Sequence, residues 1–230
     1  MFAINHAATA LVIKRRYPDA PMGWLLVSVQ LVELLWVVLN FAGVERTTTE
    51  ALVASVADIH LAFMPYSHSI ATSLVMAFLA WLLLEKALRR GALAAAVAVG
   101  ILSHIILDLA THTQDIALAP FFGETHLGLG LYDIPPLAFL VEISYGLLCW
   151  LLFRGSKGLL AVIVLFNLAN LSFFVASMPG PESLFADRPT ALVAAVAVQI
   201  AITLAAVWYF SRERAAELEH PSRRLARAFA

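Results

Sequence analysis

Apolar residues in this chain come in six runs of about twenty, near 23–42, 67–85, 91–110, 134–153, 157–178 and 190–210, and the charges gather between them. A helix needs roughly 20 mainly apolar residues to cross a hydrocarbon core about 30 Å thick. At that depth the backbone must satisfy its own hydrogen bonds, which leaves helices as the spanning form for runs of this length. The pattern therefore predicts an all-α fold, a polytopic membrane helix bundle of about six transmembrane helices. Residues 2–13 are helical in pattern but too short to span. They are expected to form an N-terminal half-helix that dips into the bundle or lies at the interface. The composition agrees, with 61% hydrophobic and 13% charged residues, far from the balance of soluble domains. A net charge of -1 gives no electrostatic footprint for nucleic acid. The single cysteine, Cys149, rules out a disulfide framework and a Cys-based zinc site. The first residues lack a basic n-region, so no cleavable signal peptide is expected.

The connectors set an expected orientation. Lys14, Arg15 and Arg16 precede the first run, Lys86, Arg89 and Arg90 separate the second and third, and Arg154 and Lys157 separate the fourth and fifth. The end of the chain adds Arg212, Arg214, Arg223, Arg224 and Arg227. The alternate connectors are poor in Lys and Arg and hold Glu45, Glu50, Asp58, Asp115, Glu124, Asp133, Glu182 and Asp187. The positive-inside rule then puts the basic side in the cytoplasm. The expectation is a multi-pass protein of a bacterial-type inner membrane with its C-terminus inside. Residues 1–211 would form one membrane-embedded domain, and 212–230 a cytoplasmic basic tail. The two outer connectors, 43–66 and 111–133, are long enough to carry a lid or a substrate-binding surface.

Ionisable side chains within such runs are costly, by at least ~2.5–3.5 kcal/mol for a central charge, and persist where they pair, line a cavity or bind something. The third run holds the densest set, Ser103-His104-Ile105-Ile106-Leu107-Asp108-Leu109-Ala110-Thr111-His112. His104, Asp108 and His112 recur every fourth residue and so share one helix face. Imidazole nitrogen and carboxylate oxygen together suit a divalent metal such as zinc, manganese or iron. A bland alternative leaves His112 as a polar helix end emerging into water. The second run opens on Tyr66-Ser67-His68-Ser69, read either as a histidine at the depth of Asp108 or as an N-capping serine beside an incidental histidine. Glu33 lies mid-run, on one face with Gln30 and Asn40, either at a site or in an interhelical hydrogen-bond seam. His6 would be lifted by the half-helix towards the depth of Glu33. Glu142, within the fourth run, could be a ligand, a general base or the partner of a ligating histidine. His60 and His126 lie in the outer connectors beside Asp58 and Glu124 and read mainly as surface histidines. Asn167, Asn170 and Gln199 read as packing contacts. No Gly-rich phosphate loop and no HExxH motif is present.

These residues resemble the YdjM-like family of membrane-bound metal-dependent hydrolases. The likeness rests on Asn5-His6-Ala7-Ala8-Thr9-Ala10 near the start, on Tyr66-Ser67-His68-Ser69, and on the Ser-His-x-x-x-Asp motif at Ser103–Asp108. It covers about residues 1–150. The family's acidic motif, of the form Pro-Asp-x-Asp, is here Gln30-Leu31-Val32-Glu33, with one acid and no proline. This departure points to one ion, or to a second completed by Glu142 or His112.

The resemblance implies a divalent metal, with zinc the leading choice, as one or two ions held by His6, Glu33, His68, His104 and Asp108. Glu142 or His112 would shuttle the proton. A site in the outer half of the bundle suits a membrane lipid or a lipid-linked phosphoester as substrate. The same residues could instead line an ion or proton pathway, or belong to a non-catalytic subunit of a membrane complex. The inner ends of the runs are nearly all Ala, Leu and Val, which favours a one-sided site.

Overall fold

The computed structural model describes residues 1–53, 55–120, 126–175, 177–178 and 180–219. Seven α-helices make up the bundle among them: α1 (Ala3–Arg16), α2 (Met22–Phe41), α3 (Ile70–Lys86), α4 (Gly91–Thr111), α5 (Pro135–Phe153), α6 (Lys157–Ala169) and α7 (Pro189–Glu219). Four of them, α2, α4, α5 and α7, are long and apolar enough to cross a membrane. The outer connectors fold into two small antiparallel pairs. Strand β1 (Arg46–Thr49) pairs with β2 (Ile59–Phe63), and β3 (Ile116–Ala117) with β4 (His126–Leu127).

The half-helix α1 dips into the bundle. It is buried on nearly every face from Ala3 to Lys14. It packs against α5, α2 and α7, and small residues such as Ala7, Ala8 and Ala10 let those backbones come close. Its inner end is fixed by Lys14, fully buried, whose Nζ donates to the carbonyls of Pro18 and Ala20 and to Glu219 at the far end of α7. The outer surface is the reverse of a soluble protein's. Leu79, Leu140, Leu151 and Leu165 are all exposed, as a bundle solvated by lipid requires.

Two of the expected runs are shorter as helices. The second begins at Ile70, where Ser69 accepts from Thr72 N as an N-cap, so His68 sits in the turn before α3. The fifth, expected over 157–178, stops at Ala169. Asn167 and Asn170 turn their amides back onto the carbonyls of Ile163 and Phe166, a competition that weakens the helix end. The chain then turns through Leu171–Phe174 in a 3-10 helix. The basic tail expected from 212 onward begins as the last turns of α7, and its remainder beyond Glu219 lies outside the described residues.

Helices α2 and α4 position the site. Ser28 meets Gly100, and the carbonyl of Val29 meets His104. Numbers rise together along both helices, so they run in the same direction, with α3 as the return between them. The approach is close because position 100 has no side chain. A Cβ there would lie 2.0 Å from Ser28 Oγ and 2.8 Å from its Cβ.

Gly100→Ala is therefore expected to destabilise the protein, by about 1–3 kcal/mol for an overpacked contact, and to lower its unfolding temperature in detergent. Ser28→Gly in the same chain removes both obstructing atoms and should restore most of the loss. A Gly100→Ala protein that melts with the wild type would mean that the crossing is looser than this.

Candidate metal centre

Glu33 of α2, His68 ahead of α3, and His104 and Asp108 of α4 converge in one place. One ligand atom from each lies within 4.8 Å of all the others, the only such group of three or more donors among the described residues. His104 Nε2 is 3.0 Å from Asp108 Oδ2 and 3.5 Å from Glu33 Oε2, and His68 Nε2 is 3.2 Å from Glu33 Oε2 and 3.6 Å from Asp108 Oδ2. In a tetrahedral site with ligand distances of ~2.0–2.1 Å, neighbouring donor atoms stand about 3.3 Å apart. The four separations bracket that value.

The hydrogen-bond pattern tests whether these donors suit a cation. His104 Nδ1 lies 2.7 Å from the carbonyl oxygen of Val29, which only accepts, so Nδ1 carries the hydrogen. Its Nε2 is buried with no hydrogen-bond partner, and so is Asp108 Oδ2 at 3.0 Å. Two buried polar atoms this close, neither in a well-formed hydrogen bond, are a place that a cation, a proton or a metal ion, would satisfy. His68 is oriented by a longer chain of contacts. Glu45, 3% exposed, accepts from the backbone N–H groups of Tyr66 and Ser67, each at 2.8 Å, and from Ser67 Oγ at 2.6 Å. With its hydrogen on Glu45, Ser67 Oγ accepts from His68 Nδ1 at 2.9 Å. His68 Nε2 is left facing the carboxylates, hydrogen-bonded to Glu33 Oε2 at 3.2 Å, and in the neutral ring would offer its lone pair to an ion there. Both imidazoles thus carry the arrangement of metal-bound histidines, one nitrogen on the ion and the other on a fixed acceptor. The donor set fits a divalent ion.

His6 stands just outside this group. Its ring stacks on that of His104, with centroids 3.8 Å apart and planes within 9°. Its Nε2 reaches Asp108 Oδ1 at 3.1 Å, the oxygen that also accepts from the Met1 amino group at 2.7 Å. His112 lies at the rim. It caps the end of α4, where its ψ of 154° turns the following chain out of the helix. Its Nε2 is 3.9 Å from Asp108 Oδ1 and its Nδ1 3.4 Å from Asp115. Gly130, in the left-handed region at φ 71°, turns its N–H onto the carbonyl of His112 at 2.8 Å and holds that bend.

Glu142 is buried, and its oxygens accept from Phe2 N at 3.0 Å, Asn5 Nδ2 at 2.7 Å and Tyr132 Oη at 2.8 Å. It ties the start of α1 to α5. Burial, reinforced by the charge of Glu142, pushes the Tyr132 phenol well above its ordinary pKa, so it stays a donor. The backbone of His60 pairs with Thr48 across β2 and β1, and its side chain lies outside what the structure describes; His126 lies in β4 and does not join the four-donor group. Glu124 lies outside the described residues. Asn167 bonds Asn5, and Gln199 bonds Asn170 at 2.8 Å, so these amides do join helices.

The sequence model of the YdjM inner membrane protein family matches residues 65–180. The chain belongs to the YdjM inner membrane protein family. Its family thus assigns it to the inner membrane, in keeping with its apolar helices. No curated protein and no solved structure matches it. The matched stretch holds His68, His104 and Asp108, whereas Glu33, the fourth donor, precedes it.

Glu45 was not marked by the sequence as more than an outer-connector acid, and Tyr132 carried no signal at all. Each finds its partner only through the fold.

Loss of a residue that orients a ligating histidine lowers metal affinity by roughly 10–100-fold. Glu45→Gln and Ser67→Ala are each expected to weaken zinc binding within that range in competition titrations against a chelator. Binding as tight as the wild type's would deny this relay any part in the site.

Proposed function

We propose that this protein is a membrane-embedded, metal-dependent hydrolase acting on a lipid or lipid-linked phosphoester at the periplasmic side. The observation that carries the reading is a set of two imidazoles and two carboxylates whose donor atoms all lie within 4.8 Å of one another, each imidazole with its Nδ1 engaged elsewhere. Two histidines with Asp and Glu suit zinc, and the four atoms define a place for one ion. Such an ion supplies Lewis-acid polarisation of a phosphoryl oxygen and activation of a water at neutral pH.

The remaining residues have separable tasks. His6, hydrogen-bonded to Asp108 Oδ1, keeps Oδ2 turned towards the centre. His112, with 17% of its side chain exposed, borders the cavity that opens onto Glu33 and His68. It is positioned to take a proton from water and to release it outward past Asp115. Glu142, engaged by three donors, holds the N-terminal end of α1 against the site. The protein is read as multi-pass, with the basic connectors and the C-terminus in the cytoplasm by the positive-inside rule. The four-donor group then falls in the outer half of the bundle.

Elemental analysis of the detergent-purified protein tests this reading. Near-stoichiometric zinc or manganese is expected in the wild type and at least a tenfold lower content in His104→Ala and Asp108→Ala. Hydrolysis of a phosphoester lipid should follow the metal content. A wild-type protein that takes up no metal after loading at neutral pH would overturn the proposal.

A further inference from the structure

The metal-ligand cluster opens into a cavity of about 750 Å³, within the size of sites that enclose a small-molecule ligand. Its two ends differ in chemistry. One end is walled by His6, Glu33, His68 and His112, the other by Phe166 of α6 and by Leu192, Ala195, Val198 and Ile202 of α7. Leu192, Ala195 and Ile202 recur at helical spacing on one side of α7. From Leu192 to Ile202 the groove follows that helix for ~15 Å at 1.5 Å per residue.

Two features of the sequence create this space. Helix α6 stops after 13 residues, leaving the outer part of α7 without a full-length neighbour on that side. The bond from Gln199 Nε2 to Asn170 Oδ1 then fixes α7 to the end of α6. Val198 and Ile202, on the groove wall, are 58% and 54% exposed, so no described helix covers this part of α7. In a membrane that side faces lipid chains, so the groove communicates sideways with the hydrocarbon. Gln30 lies on the same wall near the cluster, fully buried, with its Nε2 on the Ala3 carbonyl and its Oε1 without a partner.

From this arrangement we infer that the groove between α6 and α7 is the binding site for the hydrocarbon chain of a phospholipid, which enters laterally from the bilayer and brings its phosphate to the four-donor cluster. The occupant must be amphipathic, because the cavity is. An anionic head matches the cation-binding end, and a chain lying along α7 runs as membrane lipids already do, so entry requires no reorientation. The inference deepens the hydrolase reading and takes its head-group chemistry from it, but the chain site rests on the groove alone.

The probe is a phosphatidic acid with a diazirine on one acyl chain, reconstituted with the zinc-loaded protein in phosphatidylcholine vesicles. After photolysis, labelled peptides are identified by mass spectrometry and metal content is read in parallel. Labelling is expected to concentrate on Leu192–Ile202 and around Phe166, and Ala195→Trp, which fills the groove, should lower it at least tenfold while metal content stays at the wild-type level. Labels spread evenly over the lipid-facing helices, or groove labels unchanged by Ala195→Trp, would overturn the inference even with metal bound and hydrolysis intact. Should Ala195→Trp fail to fold, Val198→Trp at the mouth carries the same comparison. Groove labelling in a protein that binds no metal would uphold the chain site and sink the hydrolase reading instead.

Discussion

Acceptor atoms that face one another inside an apolar bundle are the constraint on which the outer half of this protein depends. Asp108 Oδ2 and His104 Nε2 stand 3.0 Å apart, neither in a well-formed hydrogen bond, and Glu33 and His68 complete the group. In a low-dielectric interior such a set is strongly unfavourable unless a cation sits among them. The surrounding contacts push towards that outcome. Val29 takes the Nδ1 hydrogen of His104, and Ser67, backed by Glu45, takes that of His68. Each removes a donor that would otherwise quench the charge. The close crossing of α2 and α4 at Gly100 is what lets the Val29 carbonyl reach His104 at all.

Much of this was legible in the sequence, for a specific reason. His104 and Asp108 are one turn apart, so a period of 3.6 residues brings them together whatever the tertiary fold. The same period carries His112 to within 3.9 Å of Asp108 Oδ1, but it stands at the rim, outside the four-donor group. Glu33 could be singled out by the penalty for a mid-membrane acid, but not its partner, since helix packing rather than local spacing decides which histidine it meets. Glu45 and Tyr132 lie beyond any local signal. Glu45 acts on Ser67, 22 residues away, and Tyr132 on Glu142 across the start of α5. The early end of α6 could have been read from Asn167 and Asn170. Asparagines near the outer end of a run compete with the helix for backbone carbonyls, and the apolar residues beyond them disguise the break.

The distribution of donors along the chain bears on how the site is shared within the family. The stretch common to the YdjM inner membrane proteins begins at residue 65 and so carries His68, the α3–α4 hairpin and the paired His104 and Asp108. Three of the four donors are a property of that hairpin and its leading turn. The fourth, with Gln30 and His6, comes from α1 and α2, the part of the chain ahead of the match. An acid delivered by a separate helix contributes to the charge and the geometry of the centre without being part of the hairpin. The single acid at Glu33 sets this chain's donor count at two imidazoles and two carboxylates, a neutral total for a divalent ion.

The residues of α4 on either side of the cluster differ in chemistry. Below His104, the buried face of α4 consists of Ile101, Gly100, Val97, Ala96, Ala94 and Leu93, none of which can bind or pass a proton. Towards the outside, by contrast, Asp108, Thr111, His112 and Asp115 follow in succession. Along α4, polar residues therefore continue from the cluster towards the connector 111–133 and give way to apolar ones below His104. A carrier of ions or protons needs groups on both sides of its binding site, whereas a reaction centre needs one entrance for substrate and one exit for the proton. The apolar groove along α7 and the polar rim at His112 are two such openings, of opposite chemistry, on the same side of the cluster.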